Sequence, residues 1–185
     1  HIASLSSFSL ADLKVIGMFM TRFILIADGP ALPDPSEIDR FWARARDQFS
    51  GLEDNYQVRS IGIDPETTVQ ILEYIKTRNK VATFSLPWVI EANGFPYSKP
   101  GTLIVLCDYV GTPHLIVRLT DVRETTFGDI SYAESSLDGP PVQDPKVWIP
   151  LHRQYWNGLL AAYGRECTDD MPVLIEPFDY VGEII

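Results

Sequence analysis

Cysteine is nearly absent: the 185 residues hold only Cys107 and Cys167. Two cysteines far apart in the chain make neither a metal-ligand spacing nor a disulfide framework. Cys107 lies in an apolar run and reads as a buried thiol, and a reducing, cytoplasmic setting fits this usage. Histidine is scarce too, at His1, His114 and His152. The three are scattered, so neither a metal site nor a cofactor is expected. Positive charge is short: 15 Lys and Arg stand against 25 Asp and Glu, a net charge of −10. Broad binding to a phosphate backbone needs clustered cations, so DNA is not an expected partner, although a local basic pocket remains open. Long hydrophobic runs are missing as well. No stretch approaches the ~20 apolar residues of a membrane span, so no membrane partner is expected. No repeat is visible.

What is present is a chain with 45 % apolar residues, enough for a sizeable core in one domain with an extra segment. The sequence opens on His1 instead of Met, which reads as a cleavage remnant or an expression scar. Met18 or Met20 is a candidate internal start. Residues 1–20 lack the basic start and long apolar core of a secretory signal. "ADGPALPDP" (27–35) is rich in Pro and Gly and reads as a linker. Residues 1–33 are therefore an N-terminal extension, and the domain proper spans 34–185.

Helical periodicity marks "DPSEIDRFWARARDQFSG", with Ile38, Phe41, Trp42, Ala45 and Phe49 on one stripe. Asp34 or Ser36 caps its start, and Gly51 sits where it stops. "DPETTVQILEYIKTRN" repeats the logic. Asp64 is the cap, Pro65 fits the first turn, Val69, Leu72 and Ile75 form the stripe with Ile71 widening it, and Asn79 is suited to the left-handed stop. "TLIVLCDY" and "HLIVRLTDV" predict an antiparallel hairpin; the first is apolar on both faces, as in a covered sheet or closed barrel. "VLIEPFDYVGEI" predicts a further strand interrupted by Pro177. Pro150 predicts a break within "DPKVWIPLHRQYWNGLLAAYG". The expectation there is a short turn at 145–149, then a helix from about Pro150 to Tyr163 burying Tyr155, Trp156, Leu159, Leu160 and Tyr163. Helices flanking a mostly antiparallel sheet or barrel give an α+β class.

These segments carry a resemblance. "ILEYIKTRNKVATFSLPW" resembles the helix and loop of the ASCH domain, with its Gly-x-Lys-x-x-Thr signature. "KPGTLIVLCDYVGTPHLIVRLTDVRETTFGDI" is similar to that family's hairpin and Phe-containing turn, and "WIPLHRQYW" to its Trp-x-x-x-His-x-x-aromatic ending. The likeness covers roughly residues 36–182 and points to the bacterial YhfF-like subgroup. It implies a PUA-like β-barrel with flanking helices and a cleft beside the Lys-x-x-Thr loop. Family members have been proposed to bind RNA or nucleotides. Some smaller ones hydrolyse the amide of N-acetylcytidine with a threonine, a lysine and a glutamate, and one is a ribonuclease. Lys80 and Thr83 match the Lys-x-x-Thr pair. Arg78 stands where the family has glycine. Asp138, before Gly139, stands where it has glutamate, one methylene shorter, with Glu134 as the alternative carboxylate.

Amide hydrolysis by such a trio is chemically coherent. A threonine hydroxyl is a weak nucleophile until a base takes its proton. A lysine is such a base in its amine form, and a carboxylate orients it. Thr83 is the candidate nucleophile, Lys80 the base and Asp138 the orienting carboxylate. Residues three apart in a regular strand point to opposite faces, so Lys80 and Thr83 converge only if the chain bends between them. The bland alternative is a solvated lysine at a helix end, a β-forming threonine and an Asp-Gly turn. Arg78, Trp88 and Tyr97 are candidate substrate-binding residues, the aromatics as stacking faces for a base, against a null of rim packing. His152 is expected to support packing or to face the cleft. The expected partner is a small nucleoside-like molecule. RNA is the alternative, and would need a cationic stripe drawn from Lys76, Arg78, Arg118 and Arg123. The predicted function is hydrolysis of an N-acylated cytosine nucleoside or similar small amide; the alternative is a non-catalytic RNA- or nucleotide-binding module.

Overall fold

The computed structural model describes residues 23–24 and 33–185. The readings of His1, of Met18 or Met20 as a start, and of residues 27–32 as part of a linker lie outside the described residues. Phe23–Ile24 forms a two-residue strand, β1, parallel to β2 (Tyr56–Ser60). The remaining strands are β3 (Ala82–Ser85), β4 (Leu103–Cys107), β5 (Pro113–Leu119), β6 (Arg123–Thr126) and β7 (Pro172–Glu183). The sheet order is β1-β2-β4-β5-β7-β3, with β6 also on β7. β1–β2 and β2–β4 are parallel and the other pairs antiparallel. The sheet curls into a half-barrel flanked by helices, an α+β fold.

Alternation along β4 sorts the core. Leu103, Val105 and Cys107 face helix α1 (Pro35–Gln48), which buries Ile38, Phe41, Trp42 and Ala45 against them. Ile104 and Leu106 face the other way, toward Leu72 and Ile75 of α2 (Pro65–Lys76). This two-sided burial explains why the strand is apolar throughout. Asp34 caps α1 and Asp64 caps α2, each accepting a backbone N–H of the first turn, from Ser36 and Thr67. Val69, expected in the α2 stripe, is 61 % exposed, and Thr68 is buried in its place. The Thr68 hydroxyl donates to the Ile61 and Asp64 carbonyls, so a polar side chain is satisfied on the inner face.

A third cluster joins β3 and β7 to α3 (Pro87–Ala92) and α5 (Pro145–Ala161), around Trp148, Trp156, Phe127 and Leu160. Two proline expectations are corrected here. Asp144 caps α5 with Pro145 in its first turn, and the helix runs through Pro150 to Ala161. Pro150 removes one N–H bond from the helix, yet burial of Trp148 before it and Trp156 after it holds both halves on one core. Tyr163, expected in the stripe, lies past the helix end and is exposed. Pro177 does not interrupt β7. The β5 ladder ends at Phe178 and the β6 ladder starts at Ile175, so Pro177 occupies the gap between them. Its carbonyl accepts from Thr120 on that edge. In an antiparallel strand N–H and C=O of one residue share an edge, so the missing donor faces the same gap and costs no ladder bond. Among the described residues no helix is long and apolar enough to cross a membrane.

Candidate functional site

The corner after α2 sets the site. The left-handed residue that ends this helix is Arg78, at φ 59°, and not Asn79. Asn79 N donates to the Tyr74 carbonyl and Arg78 N to that of Ile75, the closing pattern of a helix end usually built on glycine. The position that is glycine in the signature is thus the one whose backbone favours glycine, and Arg78 occupies it at a steric cost. Its guanidinium lies 5.9 Å from the Tyr180 ring centroid.

Lys80 leaves this corner before β3 begins. Val81 N and Ala82 N both donate to the Leu137 carbonyl, which ties the chain to the segment after the short helix α4 (Tyr132–Ser135) and sets Lys80 opposite Asp138. Lys80 Nζ donates to Asp138 Oδ1 at 2.6 Å, and both residues are buried. The Gly139 amide donates to the same oxygen at 2.7 Å, and Trp148 Nε1 to Oδ2 at 2.9 Å. Burial pushes the Asp138 carboxyl up, but the Lys80 charge and hydrogen bond, helped by His152 and the Gly139 amide, outweigh it and hold it below its ordinary value. Gly139 is required for space as well: a Cβ there would stand 2.9 Å from Tyr74 Cδ2.

A cavity of about 240 Å³ opens beside this pair. Lys80, Thr83, Asp138 and His152 line it together, with Arg59 and Tyr155 on the same wall. The bend that the spacing required is therefore present. Thr83 is half-buried, and no hydrogen bond among the described residues uses its hydroxyl. Glu134 does not line the cavity; its carboxylate closes a capping box with Ser131. Arg78, Trp88 and Tyr97 also lie outside the cavity wall. Trp88 packs on the third core cluster under the Arg165 guanidinium, and the Tyr97 hydroxyl donates to Glu91.

A second buried ion pair was not anticipated. Arg59 meets Glu176 in a fork, 3.0 Å from NH1 to Oε1 and 2.9 Å from NH2 to Oε2. Ser85 donates to Glu176, and Gln57 and Ser98 accept from Arg59. Glu176 stands opposite Thr83 in the β3–β7 ladder. Burial raises the Glu176 carboxyl, but the Arg59 charge and hydrogen bonds win and lower it. The available signal was a carboxylate inside the otherwise apolar "VLIEPF"; Arg59, in the mixed strand "YQVRS", carries no such signal.

With the geometry established, the comparisons with known proteins concern the same region. The family model described as the ASCH domain matches residues 59–182. An ASCH domain from Lactobacillus crispatus JV V101 is similar in structure, at TM-score 0.71 and 19 % identity, covering 79 % of this chain and 94 % of its own. A protein of Enterococcus faecalis V583 is similar at TM-score 0.69 and 20 % identity, covering 80 % of this chain and 90 % of its own. At these identities the likeness concerns the fold. No curated protein matches the sequence.

Proposed function

The chain belongs to the ASCH domain family, and from that premise we propose that it hydrolyses a small N-acyl amide held in the cavity, of the N-acylated cytosine nucleoside class. The observation that carries the reading is the shared wall: Lys80, Thr83 and Asp138 meet at one cavity, and the Thr83 hydroxyl is uncommitted. Nζ first hands a proton to Asp138 along their 2.6 Å contact, and the resulting amine takes the hydroxyl proton as Thr83 Oγ1 bonds to the acyl carbon. The same proton passes to the amide nitrogen as the C–N bond breaks. Water then attacks the threonine ester, giving up its proton to Lys80, and the acid leaves as Thr83 is reprotonated. Asp138, tied down by three donors, fixes where Nζ can point.

Size supports a small ligand. The cavity, at about 240 Å³, is below the ~300–1,000 Å³ of drug-sized sites. Two of the four cations of the RNA alternative already have carboxylate partners: Lys76 pairs with Glu73 and Glu183, and Arg123 with Asp121. The test is release of cytidine from N-acetylcytidine by the purified protein. Thr83→Ala should lower kcat by ~100-fold or more while leaving the circular dichroism unchanged, and Thr83→Ser should recover part of it. No turnover by the wild type, together with salt-sensitive RNA binding, would reverse the choice in favour of the binding module.

A further inference from the structure

His152 has no part in the chemistry above, yet its surroundings define what it presents to the cavity. Its Nδ1 lies 2.9 Å from the Trp148 carbonyl oxygen, one helical turn back. A carbonyl only accepts, so Nδ1 carries the hydrogen. The Trp148 ring stacks on the imidazole at 3.7 Å and 14°, and Trp156 meets it at 65° with centroids 5.1 Å apart. His152 lines the cavity, and the ring nitrogen not committed to Trp148 is Nε2. That atom stands 3.8 Å from Asp138 Oδ2, too far for a hydrogen bond. With the hydrogen on Nδ1, Nε2 is left as an acceptor. Burial holds the imidazole pKa down at about 4, against the pull of the Asp138 charge, which keeps the ring neutral near pH 7.

The acceptor count agrees. Asp138 Oδ1 already takes two donors, Lys80 Nζ and the Gly139 amide. Oδ2 takes only Trp148 Nε1 and keeps one lone pair. We propose that His152 Nε2 and Asp138 Oδ2 form an acceptor pair that reads the N–H of the ligand's acyl amide. This rests on the cavity being the ligand site, and it narrows the substrate class to secondary amides. Esters and N-alkylated amides leave both acceptors unmet, and an unmet buried acceptor costs more than a missing contact.

The test uses the whole protein with histidine labelled in ¹⁵N. In the ligand-free protein His152 should show a protonated Nδ1 and a bare Nε2, assigned by its loss in His152→Phe. N-acetylcytidine should shift the Nε2 resonance, and N-acetyl-N-methylcytidine should not. His152→Phe keeps an aromatic ring on Trp148 and removes the acceptor. It should weaken N-acetylcytidine about five- to tenfold, the size of one neutral hydrogen bond, and should not weaken the N-methyl compound, which loses one of its two unmet acceptors and so binds at least as well. A hydrogen on Nε2 in the free protein, or an equal loss for both ligands, overturns the proposal. The hydrolase reading is judged separately. Turnover without a response at Nε2 removes the acceptor role alone, whereas a response without turnover upholds that role and removes only the hydrolysis.

Discussion

Replacing Asp138 by Asn separates a buried ion pair from an ordinary polar contact. The carboxylate accepts from Lys80 Nζ at 2.6 Å, the Gly139 amide at 2.7 Å and Trp148 Nε1 at 2.9 Å, with both ionic side chains out of solvent. An amide offers one acceptor oxygen and brings two N–H groups of its own. One of the three donors then faces another donor, and the Lys80 charge stays buried without a counter-ion. Removing one partner of a buried pair typically costs ~3–5 kcal/mol, a large share of the ~5–15 kcal/mol that holds a domain together. The assay is urea unfolding at pH 7 followed by tryptophan fluorescence, with Trp148 itself reporting on the site. Asp138→Asn should lower the midpoint by an amount equal to ~3 kcal/mol, and Lys80→Met by a similar amount. The double variant should cost clearly less than the two losses added, because neither leaves a stranded charge. A loss below ~1 kcal/mol for Asp138→Asn, or simple additivity, would refute the pair as a closed buried unit.

Two further outcomes follow from the geometry. Arg78 holds a backbone conformation that costs a side-chain-bearing residue ~1–2 kcal/mol, so Arg78→Gly should be more stable than Arg78→Ala by about 1 kcal/mol in the same assay; equal midpoints would contradict the strained corner. His152 titrates near 6.5 when unfolded and at about 4 when folded. The unfolded chain binds the proton first, so stability should be full above pH 6.5 and fall as pH drops toward 4. Asp138 and Glu176, both held below their ordinary values, extend the fall to lower pH. His152→Phe should flatten the portion between pH 6.5 and 4, and an unchanged slope there would show that the imidazole is not buried neutral.

Much of this arrangement is written in local patterns. Asp34 and Asp64 each precede a proline and an apolar stripe, and both cap helices. The β-branched runs at 103–107 and 113–119 pair as a hairpin. Lys80, Thr83 and Asp138 stand out only through the resemblance to the ASCH signature; by themselves they read as a lysine at a helix end, a β-forming threonine and an Asp-Gly turn. What was hidden depends on partners far along the chain. Pro150 and Pro177 carry a strong local signal for breaks, but burial of Trp148 and Trp156 overrides the first and a gap between two ladders absorbs the second. Arg59 and Glu176 meet across more than half the sequence, and by itself Glu176 reads as a charge misplaced in a strand. Trp88 and Tyr97 are aromatic in a stretch next to the motif, but α3 (Pro87–Ala92) carries that stretch to another core and to the surface.

β3, the strand that holds Thr83, has β7 as its sole ladder partner among the described residues. During synthesis the strand of Thr83 must therefore wait, unpaired, while nearly ninety further residues are added (Pro172 is 89 positions beyond Thr83). Thr83 and Phe84 of β3 line the cavity, so an abortive chain that stops short of residue 172 lacks the ladder that holds this part of the wall in place.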